Sequence, residues 1–93
     1  MVNMAKNQSI VTMTQRNVIR QRARQIRQHF QALQTASWQG RDLYPYLVRI
    51  NDFEAKLYDY AASNGILVTP EGPWDSICIN SVETGESLTI PVN

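Results

Sequence analysis

Cysteine, histidine and glycine are scarce in this chain, and their scarcity excludes several kinds of functional site. Cys78 is the single cysteine and His29 the single histidine, so the chain can form neither an intramolecular disulfide nor a cysteine- or histidine-rich metal site. A nucleophilic Cys78 would need His29 as its base, and no motif surrounds either residue. The four glycines are isolated from one another, so there is no glycine-rich loop to hold phosphate. We therefore expect a protein that is not an enzyme and that has no metal ion or cofactor.

Long apolar runs are missing as well. No stretch approaches the ~18 residues that a membrane-spanning helix needs, and the first residues lack the pattern of a secretory signal. The chain has 93 residues, 43% of them hydrophobic, which is enough for one small domain. We predict a cytoplasmic protein without membrane contact, with a flexible tail at residues 1–12 and a single domain at residues 13–93.

Acidic residues are absent from the first 41 positions, whereas basic residues are concentrated there. Residues 1–41 contain seven basic and no acidic residues, a formal charge of +7. Residues 42–93 contain two basic and eight acidic residues, a formal charge of −6, so the net charge of +1 hides the asymmetry. Such asymmetry indicates contact with nucleic acid or a membrane, and two halves that fold against each other also produce it.

A long amphipathic helix is predicted from about Thr14 to about Ala36. Thr12 and Gln15 match a capping box, in which a hydroxyl and an amide satisfy backbone N–H groups of the first turn. The apolar residues that follow recur at spacings of four and three, which is typical of one side of an α-helix: Ile19, Ala23, Ile26, Phe30 and Leu33.

A second helix is predicted after a break at Gly40. Asp42 as N-cap or Pro45 in the first turn would open it, and "SNG" at residues 63–65 would end it. Its predicted apolar side consists of Leu43, Leu47, Ile50, Leu57 and Ala61, with Tyr46, Phe53 and Tyr60 beside them. The short connection makes the two helices antiparallel neighbours.

The apolar period changes to two after Gly65, which predicts strands. We expect a strand at residues 66–68, a turn at residues 69–73, a strand at residues 74–80 and a last strand at residues 88–92. Alternation in the second strand places Ile77 and Ile79 on one face, with Trp74, Ser76 and Cys78 on the other. Pro91 assigns the last strand to a sheet edge. The predicted fold class is α+β, an N-terminal antiparallel helical hairpin followed by a small three-stranded antiparallel sheet.

The first helix carries the candidate binding residues. Four of its arginines lie in one row, about a quarter-turn from the apolar side, whereas a fifth lies near the other flank. Arginine can hold phosphate with both arms of its planar fork and can pair with guanine, while glutamine can read adenine. The helix resembles, in composition only, the arginine-rich helices that enter a widened RNA major groove. The candidates are Arg16, Arg20, Arg24 and Arg27 in the row, Arg22 on the other flank with Lys6 assisting, and Gln21, Gln25 and Gln28.

We therefore predict a small accessory or regulatory protein that binds DNA or RNA through its first helix. Such a protein should present several arginines to solvent without carboxylates within ~4 Å. Plain solvated surface, or pairing with Asp52, Glu54 and Asp59 of the second helix, would also account for the arginines.

The main alternative is a protein–protein adaptor or inhibitor. It would act through the acidic, tyrosine-bearing second half, or by docking the arginine row on an acidic protein. Trp38, Tyr44 and Tyr58 are candidates for an aromatic interface; equally, Trp38 and Trp74 could close the ends of a small core. This alternative expects an exposed apolar or tyrosine-rich patch of several hundred Å². A homo-oligomer is the third interpretation, with the arginine row of one subunit against the Asp52 and Asp59 side chains of another.

Overall fold

The computed structural model describes residues 12–93, which form two helices followed by three strands. The elements are α1 (Met13–Trp38), α2 (Tyr44–Ser63), β1 (Ile66–Glu71), β2 (Ser76–Ser81) and β3 (Ser87–Pro91). The predicted α+β arrangement of a helical hairpin and a three-stranded antiparallel sheet is confirmed. The predicted tail, including Lys6, lies outside the described residues except for Thr12. Within residues 12–93, neither helix combines the length and apolarity that crossing a membrane requires.

The capping box opens α1 as its sequence predicts. The Thr12 hydroxyl accepts a 3.1 Å hydrogen bond from the Gln15 backbone N–H, and Gln15 Oε1 accepts one of 3.0 Å from the Thr12 N–H. The helix extends to Trp38, two residues beyond the predicted end, and Gly40 follows it with φ of +71°. Because only glycine adopts this conformation freely, Gly40 lets the chain turn back towards α2.

Helix α2 runs beside α1 and begins with Pro45 in its first turn. The alternative assignment of Asp42 as N-cap is wrong, because the N-cap is Leu43; Asp42 lies one residue earlier, and its Oδ1 accepts a 3.2 Å hydrogen bond from the Tyr44 N–H. At the other end, Gln15 Nε2 donates to Asn64 Oδ1 at 2.9 Å, which ties the start of α1 to the end of α2. The assignment of Leu47 to the apolar side is wrong, since this residue is 47% exposed. It lies about 80° around the helix from the fully buried Leu57, at the margin of the apolar side.

The sheet has the order β1-β2-β3, so β2 is central and both other strands are edges. Both helices pack on the face that carries Ile66, Val68, Ile77, Ile79 and Ile90. The edge position predicted from Pro91 is confirmed. The turn predicted at residues 69–73 is wrong in its first part, because β1 continues through Glu71. Proline at position 70 is tolerated there because an edge strand can leave one side of its backbone without ladder partners.

Trp74 departs most clearly from its predicted position. The period-two pattern placed it opposite Ile77, yet it is 2% exposed and belongs to the core cluster. Its φ of +65° places it in the turn before β2, where strand alternation does not apply. Trp38, in contrast, is 82% exposed. Of the two tryptophans, Trp74 alone closes the core.

Candidate nucleic-acid interface

The predicted row of four arginines lies on the flank of α1 that faces the end of β3. Two of its members are tied to the sheet. Arg24 Nε donates a 2.8 Å hydrogen bond to the carbonyl oxygen of Val92, and Arg27 Nε lies 3.4 Å from Asp75 Oδ1 in the turn before β2. Val92 and Asp75 are themselves joined, since the Val92 N–H donates to the Asp75 carbonyl at 3.0 Å. These contacts fix the orientation of the row relative to the sheet.

Within the part of the chain that the structure describes, most of the arginines of α1 have no carboxylate partner. Among residues 12–93, the contact between Arg27 and Asp75 is the one ion pair within 4.0 Å. The carboxylates of Asp52, Glu54 and Asp59 thus form no ion pair with α1 in this part of the chain, although the sequence allowed for such pairing. In the same range, the Nε atoms of three arginines are covered and make no hydrogen bond: Arg16, Arg20 and Arg22. Four of the five predicted arginines therefore lack an ion-pair partner within residues 12–93.

Arg22 lies on the opposite flank of α1, against α2. Its guanidinium carbon is 5.8 Å from the ring centre of Tyr60. Two basic residues of α2 make the same kind of contact. The Arg49 guanidinium carbon lies 5.9 Å from the ring centre of Tyr46, and Lys56 Nζ lies 5.5 Å from that of Phe53. Such cation–π contacts hold a cation without neutralising it.

Sequence reasoning missed Arg49 and Lys56 as candidate binding residues. The sequence contained a local signal for their contacts with aromatic rings. Each of the two basic residues follows an aromatic residue by three positions and therefore lies beside it on the helix surface. The aromatic residues Tyr46, Phe53 and Tyr60 recur every seven positions, or about 10 Å along the axis. The basic side chains that lie over these rings form a second basic row, which consists of Arg22, Arg49 and Lys56.

The predicted glutamines lie between the two basic rows. At 100° per residue, Gln21 and Gln28 fall on the side of α1 that points away from its buried residues, and both are exposed. Gln25 is half-buried, and its backbone carbonyl oxygen lies 2.7 Å from His29 Nδ1. A surface depression of about 210 Å³ lies here, lined by Val18, Gln21, Arg22 and Gln25. The outer face of α1 thus presents uncharged amides bordered by cations on both sides.

The predicted aromatic candidates lie apart from this face. Trp38 ends α1 eleven residues after Arg27, which is about 16 Å along the axis. Tyr44 is 70% exposed and opens α2 just beyond the connection between the helices. Tyr58 packs beside Trp74, with ring centres 6.4 Å apart. The structure therefore groups these side chains with α2 and the helix connection rather than with the basic rows.

The single histidine and the single cysteine both make contacts within the fold. The His29 ring lies 4.7 Å from the Phe53 ring, so it forms part of the contact between the helices. Cys78 is half-buried, and Asn80 Nδ2 approaches its Sγ at 3.8 Å. Within residues 12–93, no three His, Cys, Asp or Glu side chains are grouped so that they could hold a metal ion.

Comparison of the chain with protein-family models, with curated proteins and with solved structures finds no match.

Proposed function

We propose that this protein binds nucleic acid through the outer face of α1 and acts as an accessory or regulatory protein without chemistry of its own. The observation that carries the proposal is the imbalance of charge on α1. The helix contains five arginines and no acidic residue, and only Arg27 has a carboxylate within 4.0 Å among residues 12–93. Like charges three or four residues apart destabilise a helix. Phosphate groups would offset that repulsion.

The spacing of the arginines suits a phosphate backbone. Residues four apart rise by about 6 Å, so the row from Arg16 to Arg27 spans about 16 Å on one flank of the helix. Arg24 contacts Val92 through Nε, which leaves its Nη groups as donors for phosphate oxygens. Arg16 and Arg20 are half-buried and have no carboxylate within 4.0 Å in the described range. Their Nε atoms are covered, so their Nη groups would be the donors for phosphate contact.

The two flanks together favour a duplex groove as the binding site. An α-helix about 10–12 Å in diameter fits the major groove of B-form DNA, which is about 12 Å wide. In that position the arginine row would face one phosphate backbone, and the row of Arg22, Arg49 and Lys56 would face the other. Gln21 and Gln28 would then point at the base edges, where glutamine can pair with adenine.

Salt-dependent binding by a matched set of variants tests the proposal. We would measure fluorescence anisotropy of labelled duplex DNA, duplex RNA and single-stranded RNA across salt concentrations. For duplex DNA, changing both Arg16 and Arg20 to glutamine should reduce the log–log salt slope by about 1.8, since each phosphate contact contributes about 0.9. Arg41→Gln is the control, because Arg41 is exposed and lies outside α1. Absence of binding at low salt, or an equal effect of Arg41→Gln, would show that the proposal is wrong.

A further inference from the structure

The outer face of α2 carries an uncharged stripe that is separate from the basic rows. Its members follow spacings of four and three residues, the repeat that packs one helix against another. All six members are exposed. The buried side of α2 is formed by other residues, Ile50, Leu57 and Ala61. We call this stripe the outer seam; it consists of Tyr44, Val48, Asn51, Ala55, Tyr58 and Ala62.

The composition of the outer seam suits a helical partner. Ala55 and Ala62 allow a second helix to approach closely, and tyrosines are favoured at protein interfaces. Asn51 lies in the middle of the seam, where one polar residue can set the register of a helix pair. The seam runs from Tyr44 to Ala62, about 27 Å at the α-helical rise. It is therefore long enough to pair with a helix of about five turns.

The charges beside the outer seam select the kind of partner. Asp52 and Asp59 border one side of the seam and Glu54 borders the other. The basic residues of α2, Arg49 and Lys56, lie beyond the aspartates around the helix, over the rings of Tyr46 and Phe53. Both borders of the seam are therefore acidic, and a partner with basic borders would complement them.

A second copy of this chain does not fit that requirement. A parallel pair of outer seams would bring Glu54 against Asp59 of the second copy, and an antiparallel pair would bring the two aspartate rows together. Helix α1 of a second copy is no better suited, because its exposed face presents Asn17, Gln21 and Gln28 rather than apolar side chains. Self-association through the seam would thus meet either repulsion or a polar surface.

We propose that the outer seam docks an amphipathic helix of a partner protein whose apolar stripe is bordered on both sides by lysine or arginine. Glu54 supports this choice, because it is half-buried and forms no ion pair within residues 12–93. A basic residue of the partner would supply the missing counter-charge. The inference does not depend on nucleic-acid binding, since the outer seam and the outer face of α1 are different surfaces.

Two synthetic helices provide the test with the full-length protein. Each would have 20 residues, the length of α2, stabilised by a side-chain cross-link, with leucine and alanine in the stripe. One would carry lysine at both borders and the other glutamate. We expect the lysine-bordered helix to bind at least about tenfold more tightly than the glutamate-bordered one in a fluorescence titration, because like-charged borders repel.

Matched variants assign the binding to the outer seam. Val48→Asp should weaken binding of the lysine-bordered helix by about tenfold or more, since the new carboxylate would lose its water on docking. Val82→Asp is the control, because Val82 is an exposed valine in the turn after β2, and binding should be unchanged. Circular dichroism checks that both variants fold.

Three results would overturn the inference. The first is that neither helix binds or that both bind equally, and the second is that Val48→Asp and Val82→Asp have the same effect. The third is a dimer of the wild-type protein in sedimentation that Val48→Asp dissociates, because the occupant of the seam would then be a second copy. None of these outcomes changes the salt-slope test of α1, so the two proposals can fail separately.

Discussion

Arg24 and Val92 are 68 positions apart in the chain, yet the Arg24 side chain donates a 2.8 Å hydrogen bond to the Val92 carbonyl oxygen. Val92 is fully buried and follows directly after β3. This contact joins the basic row to the backbone just after the last strand. One arginine therefore belongs both to the candidate interface and to the packing of α1 on the sheet.

Replacing Arg24 should lower stability. Arg24→Ala removes a charge-assisted hydrogen bond at a partly buried site, so we expect a loss of about 1 kcal/mol in the free energy of unfolding. The measurement is urea denaturation followed by circular dichroism. Arg41→Ala is the matched control and should lie within about 0.5 kcal/mol of wild type. Equal stabilities for the two variants would mean that the contact with Val92 contributes nothing.

The two tryptophans should respond very differently to truncation. Trp74 is 2% exposed in the core, so Trp74→Ala should cost about 3–5 kcal/mol and can prevent folding. Trp38 is exposed, so Trp38→Ala should change stability by no more than about 0.5 kcal/mol. Chemical denaturation measures both changes. If Trp74→Ala unfolds the protein, the fluorescence of the Trp38→Ala variant still tests the assignment. Its remaining tryptophan should emit at short wavelength, and emission typical of exposed indole would contradict it.

The stability contributed by Glu54 should depend on pH. Burial raises the pKa of Glu54 above its ordinary value, so the folded state binds more protons than the unfolded state while this carboxyl titrates. The contribution of Glu54 to stability is therefore greatest below the ordinary pKa of glutamate, and it falls as pH rises through the pKa of Glu54 in the folded state.

Glu54→Gln removes this dependence. The variant should melt at a higher temperature than wild type at pH 7, and the difference should shrink at about pH 4, near the ordinary glutamate pKa of about 4.3. Thermal melting at both pH values measures the effect. Glu83→Gln is the control, because Glu83 is exposed in the turn after β2. A Glu54→Gln variant less stable than wild type at pH 7 would contradict the prediction.

The exposed glutamines should affect sequence preference rather than overall charge attraction. If Gln21 and Gln28 contact base edges, changing both to alanine should reduce discrimination between preferred and mismatched duplexes by about 1–3 kcal/mol per lost pair. The salt slope should stay the same, because neither residue is charged. Selection from a random duplex library, followed by anisotropy on the selected and mismatched sequences, measures both quantities. A change in salt slope without a change in discrimination would argue against base contacts.

Local sequence patterns predicted the elements well because their causes are local. The capping box at Thr12, the apolar spacing along α1 and the proline of the last strand each act within a few residues, and all three are present in the structure. The row of arginines on one flank of α1 follows from the same helical periodicity. The charge asymmetry also needs no fold to be visible.

The errors arose where distant parts of the chain decide the outcome. Strand alternation could not place Trp74, because its inward position depends on a left-handed turn and on a core built by both helices. The exposure of Leu47 depends on how α2 packs against the rest of the domain. The outer seam was missed for the same reason, since its residues are recognised as uncovered only when the buried side of α2 is known.

The sequence by itself determined the two helices, the three strands and a strongly basic α1, since periodicity and charge are properties of neighbouring residues. Tertiary structure alone decided which arginines are tethered and which lack carboxylate partners in the described range. It also brought Arg22 against Tyr60, 38 positions later, and so defined a second basic row. The tethering of the arginines and the contact of Arg22 with Tyr60 need residues far apart in the chain, whereas the contacts of Arg49 and Lys56 with their rings lie within one helical turn.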